Sequence, residues 1–136
     1  MKSFATALGR ACLALIFILS GVSKLGSLGA TAGYMAAKGM PFVGFFLACA
    51  IAIEILGGVS LLLGWQGRAA ALALAIFLVP TTLIFHGFWA APAAEAQIQM
   101  AMFLKNVAIF GGLLFIAANG AGPASIDARR AHLAGA

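Results

Sequence analysis

The run from Phe42 to Gly64 is largely apolar and carries one charged residue, the carboxylate Glu54, near its middle. A helix needs about 20 largely apolar residues to cross a bilayer, and this run is long enough. An ionised side chain at the centre of such a helix costs about 3 kcal/mol on insertion scales. Glu54 is therefore expected to face the protein interior and to meet a partner there. Gly57, Gly58 and Ser60 follow it and leave room for a second helix to approach closely.

Only 8% of the 136 residues are charged and 64% are hydrophobic. Soluble domains carry about 25% charged residues, so this chain cannot solvate a globular surface. It reads as an integral membrane protein. The net charge of +5 comes from basic residues scattered at the flanks of apolar runs. That is positive-inside patterning rather than a phosphate-binding stripe, and no nucleic-acid partner is expected.

Four spans follow from the apolar runs, at about 4–22, 42–64, 69–88 and 97–118, with a tail at 119–136. The first resembles a signal peptide, but Lys24 follows it where a small-residue cleavage site belongs, so it reads as a retained span. Arg10, near its start, is expected to snorkel to the headgroups. Residues 25–40 are too short and polar to span. They are expected to form a short interfacial helix, with Gly39 as its stop and Pro41 opening span two. Gln66, Gly67 and Arg68 make a tight turn. Pro80 should kink span three, with Thr81 and Thr82 capping the freed carbonyls. The tail reads as a frayed end that can carry a short helix.

The fold class is thus all-α, an antiparallel four-helix bundle within one domain. Lys2, Arg10, Arg68, Arg129 and Arg130 share a side with the termini, whereas Lys24, Lys38 and Glu95 lie opposite. The positive-inside rule puts both termini in the cytoplasm. Cys12 and Cys49 lie in apolar runs toward opposite faces and are not expected to bridge.

Depth counting at 1.5 Å per residue puts Glu54 about 18 Å and Lys105 about 12 Å below the outer ends of their spans. Lys105 is therefore the expected ion-pair partner of Glu54, with Asn106 as a further donor. His86, Lys24 and Gln99 lie toward the same side. The expected site is this outer-half cluster of Glu54, His86, Lys105, Asn106, Lys24 and Gln99. Intramembrane ionisable groups usually mark ligand or proton paths, and His86 is the side chain suited to switching charge near neutral pH. A buried Glu–Lys pair can equally serve only to fix helix register.

The residues carrying these features, taken in order, resemble the DoxX family of small four-span membrane proteins. They are SGVSKL at 20–25, GMP at 39–41, EILGG at 54–58 with LLLG at 61–64 and Arg68, HGFW at 86–89, Gln99, FLKN at 103–106 and GGLL at 111–114. The resemblance implies a bacterial inner-membrane protein. The family is named for a small subunit associated with a quinone-reducing thiosulfate oxidoreductase. Another member resembles a scaffold joining a superoxide dismutase and a thiosulfate sulfurtransferase. The sequence has no paired thiols, no matched haem ligands, no metal-ligating set and no nucleotide motif, so no self-sufficient catalytic motif is read from it. The expectation is an accessory or quinone-interacting subunit of a redox or oxidative-stress system, with quinone the candidate cofactor, a redox protein the candidate partner and homo-oligomerisation open. The rival readings are a proton or small-solute transporter and a purely structural scaffold.

Overall fold

The computed structural model describes residues 1–135. It contains α1 (Lys2–Gly26), α2 (Leu28–Ala37), α3 (Val43–Leu63), α4 (Gly67–Phe85), a single 3-10 turn at Phe88–Ala90, α5 (Ala93–Asn119) and α6 (Ile126–Ala134). Helices α1, α3, α4 and α5 are each long and apolar enough to cross a membrane. The short helix expected between spans one and two is α2. Helices α1 and α5 run past the expected limits at both ends, whereas α3 falls just short at each end and α4 both starts and stops earlier than expected.

The four long helices alternate in direction. Helix α1 packs most extensively on α3 and α4 on α5, a smaller α3–α4 contact joins the two pairs, and α1 and α5 touch little. The apolar core lies toward the end of the bundle that holds the termini. There Leu61, Leu74 and Leu113 are fully buried, with Ala14, Phe17 and Ile116 around them. The outward faces are also apolar, for example Leu19, Leu56, Ile76, Leu104 and Phe115. Water would penalise such faces at about 25 cal/mol per Å², whereas hydrocarbon does not, so the exposed apolar surface is the lipid-facing one.

Glycine sets the α1–α3 distance. A Cβ on Gly21 would stand 2.6 Å from Ile55 Cγ1 and 3.2 Å from Glu54 Cβ, and one on Gly58 would stand 2.7 Å from Ile18 Cγ1. Two small positions on facing helices thus let the backbones approach closely, the usual packing solution in membranes.

Three expectations need correction at the end that holds the termini. The turn between α3 and α4 occupies Gly64 to Gln66, with Gly64 and Gln66 left-handed, and Gly67 and Arg68 already belong to α4. The tail carries the short helix that it can form, α6, but is docked rather than frayed. Asp127 Oδ1 accepts from Gln66 N (2.8 Å) and Oδ2 from Gly67 N (2.7 Å), so this carboxylate caps α4 from outside the helix. A negative group at a helix N-terminus satisfies open N–H donors and favours the helix dipole. Arg10 does not snorkel outward either. It is 6% exposed, and its guanidinium donates to the carbonyls of Leu62, Ala121 and Ala124. Its planar set of five donors can bind several carbonyls at once, which a lysine could not reproduce.

Helix α4 continues through Pro80. Pro80 releases the Ile76 carbonyl, but Thr81 and Thr82 instead donate to the carbonyls of Phe77 (2.9 Å) and Leu78 (2.7 Å), each four residues back along the helix. Cys12 and Cys49 are both free.

Candidate functional site

At the end opposite the termini, where α1 and α5 separate, the bundle forms an open-mouthed cavity of about 720 Å³. Its walls come from α1 to α5. Apolar lining includes Phe17, Phe46, Phe77 and Phe85, and Tyr34 stacks on Phe85 with ring centroids 5.5 Å apart. Five of the six expected site residues line it, namely Lys24, Glu54, His86, Lys105 and Asn106. The sixth, Gln99, stands behind His86, with Oε1 2.9 Å from His86 Nδ1.

The expected Glu54–Lys105 pair does not form. Lys24 Nζ donates to Glu54 Oε1 (2.9 Å) and Oε2 (2.8 Å), and also to Ser20 Oγ (2.7 Å). Ser20 Oγ donates in turn to Glu54 Oε1 (3.1 Å). The Lys24 and Glu54 side chains are 23% and 5% exposed. Lys105 is exposed and sits 3.1 Å from Met102 Sδ.

The cause is the direction in which helical side chains lean. Every Cα–Cβ bond tilts toward its helix N-terminus. Helix α1 runs toward the cavity end, so the Lys24 stem leans back along α1 past Ser20, its neighbour one turn earlier, toward the depth of Glu54. Helix α5 runs the other way, so Lys105 leans toward the cavity mouth and away from Glu54. Counting Cα depth alone missed this. Ser20 and Lys24, four residues apart on one helix face, were the available signal.

Asn106 is 8% exposed. Its Nδ2 donates to Thr82 Oγ1 (3.0 Å), and Thr82 donates onward to Leu78 O. Asn106 therefore joins α5 to α4 and is not a further donor to Glu54. Thr82, expected both as a cap for the Pro80 break and among the outer-half polar residues, makes this second contact and so belongs to the site's framework. Two α4–α5 links result, Thr82–Asn106 and His86–Gln99, one helical turn apart on α4. Among the described residues no three His, Cys, Asp or Glu side chains gather as a metal centre would need.

A four-helix membrane bundle with an apolar cavity, a buried ion pair and a polar wall at one end is the class of protein that this geometry defines. Its sequence relatives narrow the class, since residues 5–87 match the DoxX family. The chain is 36% identical over 118 residues to the inner membrane protein YqjF of Escherichia coli K12, covering 87% of this chain and 85% of that one. It is 30% identical over 122 residues to the inner membrane protein YphA of the same organism, covering 90% and 87%. No solved structure matches. The chain belongs to the DoxX family.

Proposed function

We propose that this protein is an inner-membrane accessory subunit of a redox or oxidative-stress system, and that its cavity receives a lipid-soluble ligand of the quinone class. The observation that carries this reading is the cavity itself. It combines aromatic walls suited to a planar ring with a few polar groups, the usual make-up of a small-molecule site. Its volume lies within the range of about 300–1,000 Å³ typical of such sites. The weak α1–α5 contact gives an apolar ligand a way in from the bilayer. The centre that exchanges electrons with the ligand belongs, on this reading, to a partner protein.

The fully buried Leu61, Leu74 and Leu113 close the bundle between Glu54 and the end that holds the termini. That closure fits a dead-end binding pocket better than a transport path. The relatives' location and the positive-inside bias together support the inner membrane, with both termini cytoplasmic and the cavity opening toward the outer leaflet.

The test is to purify the protein from its membrane, extract its lipids and assay them for quinone, then add a short-tailed quinone and follow thermal stability. Co-purifying quinone and a rise in melting temperature are expected. Neither appearing would remove the quinone reading.

A further inference from the structure

We propose that the cavity takes an amphiphile with an anionic head group, a carboxylate or phosphate on an apolar chain, and that Lys38 and Lys105 bind that head. The inference rests on the cavity being a ligand site and holds whether or not a quinone is among its ligands.

The lining carries a charge imbalance. Three ammoniums, on Lys24, Lys38 and Lys105, share the cavity with one carboxylate, that of Glu54. Lys24 takes both oxygens of Glu54. The chain has three acidic residues in all, the others being Glu95 and Asp127. Asp127 caps α4 at the opposite end of the bundle, and Glu95 stands in the first turn of α5, outside the lining. Lys24–Glu54 is the one salt bridge among the described residues. Lys38 and Lys105 therefore face the cavity with no carboxylate of the described chain to meet.

Their present contacts leave N–H bonds to give. Lys105 Nζ has Met102 Sδ at 3.1 Å, and a thioether sulfur is a weak acceptor. Lys38 Nζ stands 5.7 Å from the centre of the Tyr34 ring, a cation–π contact that attracts the charge without offering it a lone pair. The Tyr34 hydroxyl and the second Asn106 amide N–H add two further donors to the same wall.

Position decides which ligand answers these donors. Lys105 lies near the middle of α5, where a charge in a spanning helix is most expensive. Low-dielectric walls also strengthen the attraction between opposite charges. An anion in the cavity offsets that cost, and a cation would add to it. A neutral acceptor takes a hydrogen bond but leaves the charge unbalanced. The walls define the rest of the ligand. Phe17, Phe46, Phe77 and Phe85 present apolar surface, and the opening between α1 and α5 faces lipid, so the head group comes on an apolar chain that arrives from the bilayer.

The experiment uses the full chain in an uncharged detergent at about pH 8, where carboxylic acids are ionised and lysines charged. A fatty acid, an alkyl phosphate and a fatty alcohol of one chain length are the probes. Their affinities are read from the concentration dependence of the melting temperature. At least one anion is expected to bind tighter than the alcohol by about tenfold, what one charge-assisted hydrogen bond yields. Whichever anion leads identifies the head group as carboxylate or phosphate. In Lys105→Met, which keeps an unbranched side chain without the charge, the ratio should fall toward parity. Partition of the probes into micelles is the same for every variant and cancels from that comparison. Equal affinities in the unaltered protein, or a preference for the alcohol, would overturn the inference. A preference unchanged in both Lys105→Met and Lys38→Met would overturn it too, by showing that these ammoniums only snorkel to the bilayer's own head groups. A short-tailed quinone, run as a fourth probe, keeps the two readings apart. A shift with quinone and no preference for anions overturns this inference alone, and the converse overturns the quinone reading alone.

Discussion

Lys24 Nζ touches both carboxylate oxygens of Glu54, at 2.9 and 2.8 Å, and so ties the cavity end of α1 to the middle of α3. Both groups sit where water is scarce, and each makes the other affordable. Removing one member of such a pair strands the other and costs about 3–5 kcal/mol.

Glu54→Gln and Lys24→Gln should therefore each lower the melting temperature strongly, and the double variant should recover much of the loss. Lys105→Gln should change stability by less than about 0.5 kcal/mol, as an exposed side chain with no ionic partner does. Thermal unfolding of the purified protein in one detergent, run for all four variants, checks this. A Lys105 effect as large as that of Lys24 would contradict the pairing.

Gly21 lets that pair form by bringing the helix backbones together. Gly21→Ala places a methyl 2.6 Å from Ile55 Cγ1. Overpacking of this kind costs about 1–3 kcal/mol. Gly33→Ala, where nothing lies within 4 Å, should leave stability unchanged or raise it slightly through helix propensity. Comparing the two melting curves separates a packing effect from a general intolerance of alanine.

Much of this architecture was legible because hydrocarbon leaves few choices. Four apolar runs must become four helices, and Gly39, Gly64 and Pro41 punctuate them. The identity of the polar residues around the cavity was legible too, since an ionisable side chain in an apolar run has to turn inward. Their pairing was not legible. It depends on which way each side chain leans, and that follows helix direction rather than sequence depth. The tail was misjudged for another reason. Asp127 and Ser125 look like ordinary polar residues in a short sequence of small ones, and their partners at Gln66, Gly67 and Gly64 lie some sixty positions away.

Arg10 makes a prediction for that tail. It holds the Ala121 and Ala124 carbonyls against the turn between α3 and α4. Arg10→Lys keeps the charge but loses the planar donor set, and Asp127→Asn loses charge at the α4 N-terminus. Either should expose residues 120–135 to limited proteolysis while the four spans stay protected. Trimming at the same rate as the unaltered chain would show that the tail docks by other contacts.

The last prediction concerns whether the cavity matters as a space. Ala50 lies on its wall, faces inward and is 9% exposed. Ala50→Phe puts an aromatic ring where a ligand would sit while leaving Lys24, Glu54, His86 and Asn106 unsubstituted. Filling an existing void adds contacts instead of forcing neighbours apart, so basal stability should hold or rise. Stabilisation by an added quinone should then disappear, because a ligand raises the melting temperature only as far as it binds the folded state. A ligand-dependent shift that survives Ala50→Phe would place the ligand elsewhere on the bundle. One that is lost together with basal stability would indicate damage to the fold, which measuring the ligand-free curve first distinguishes.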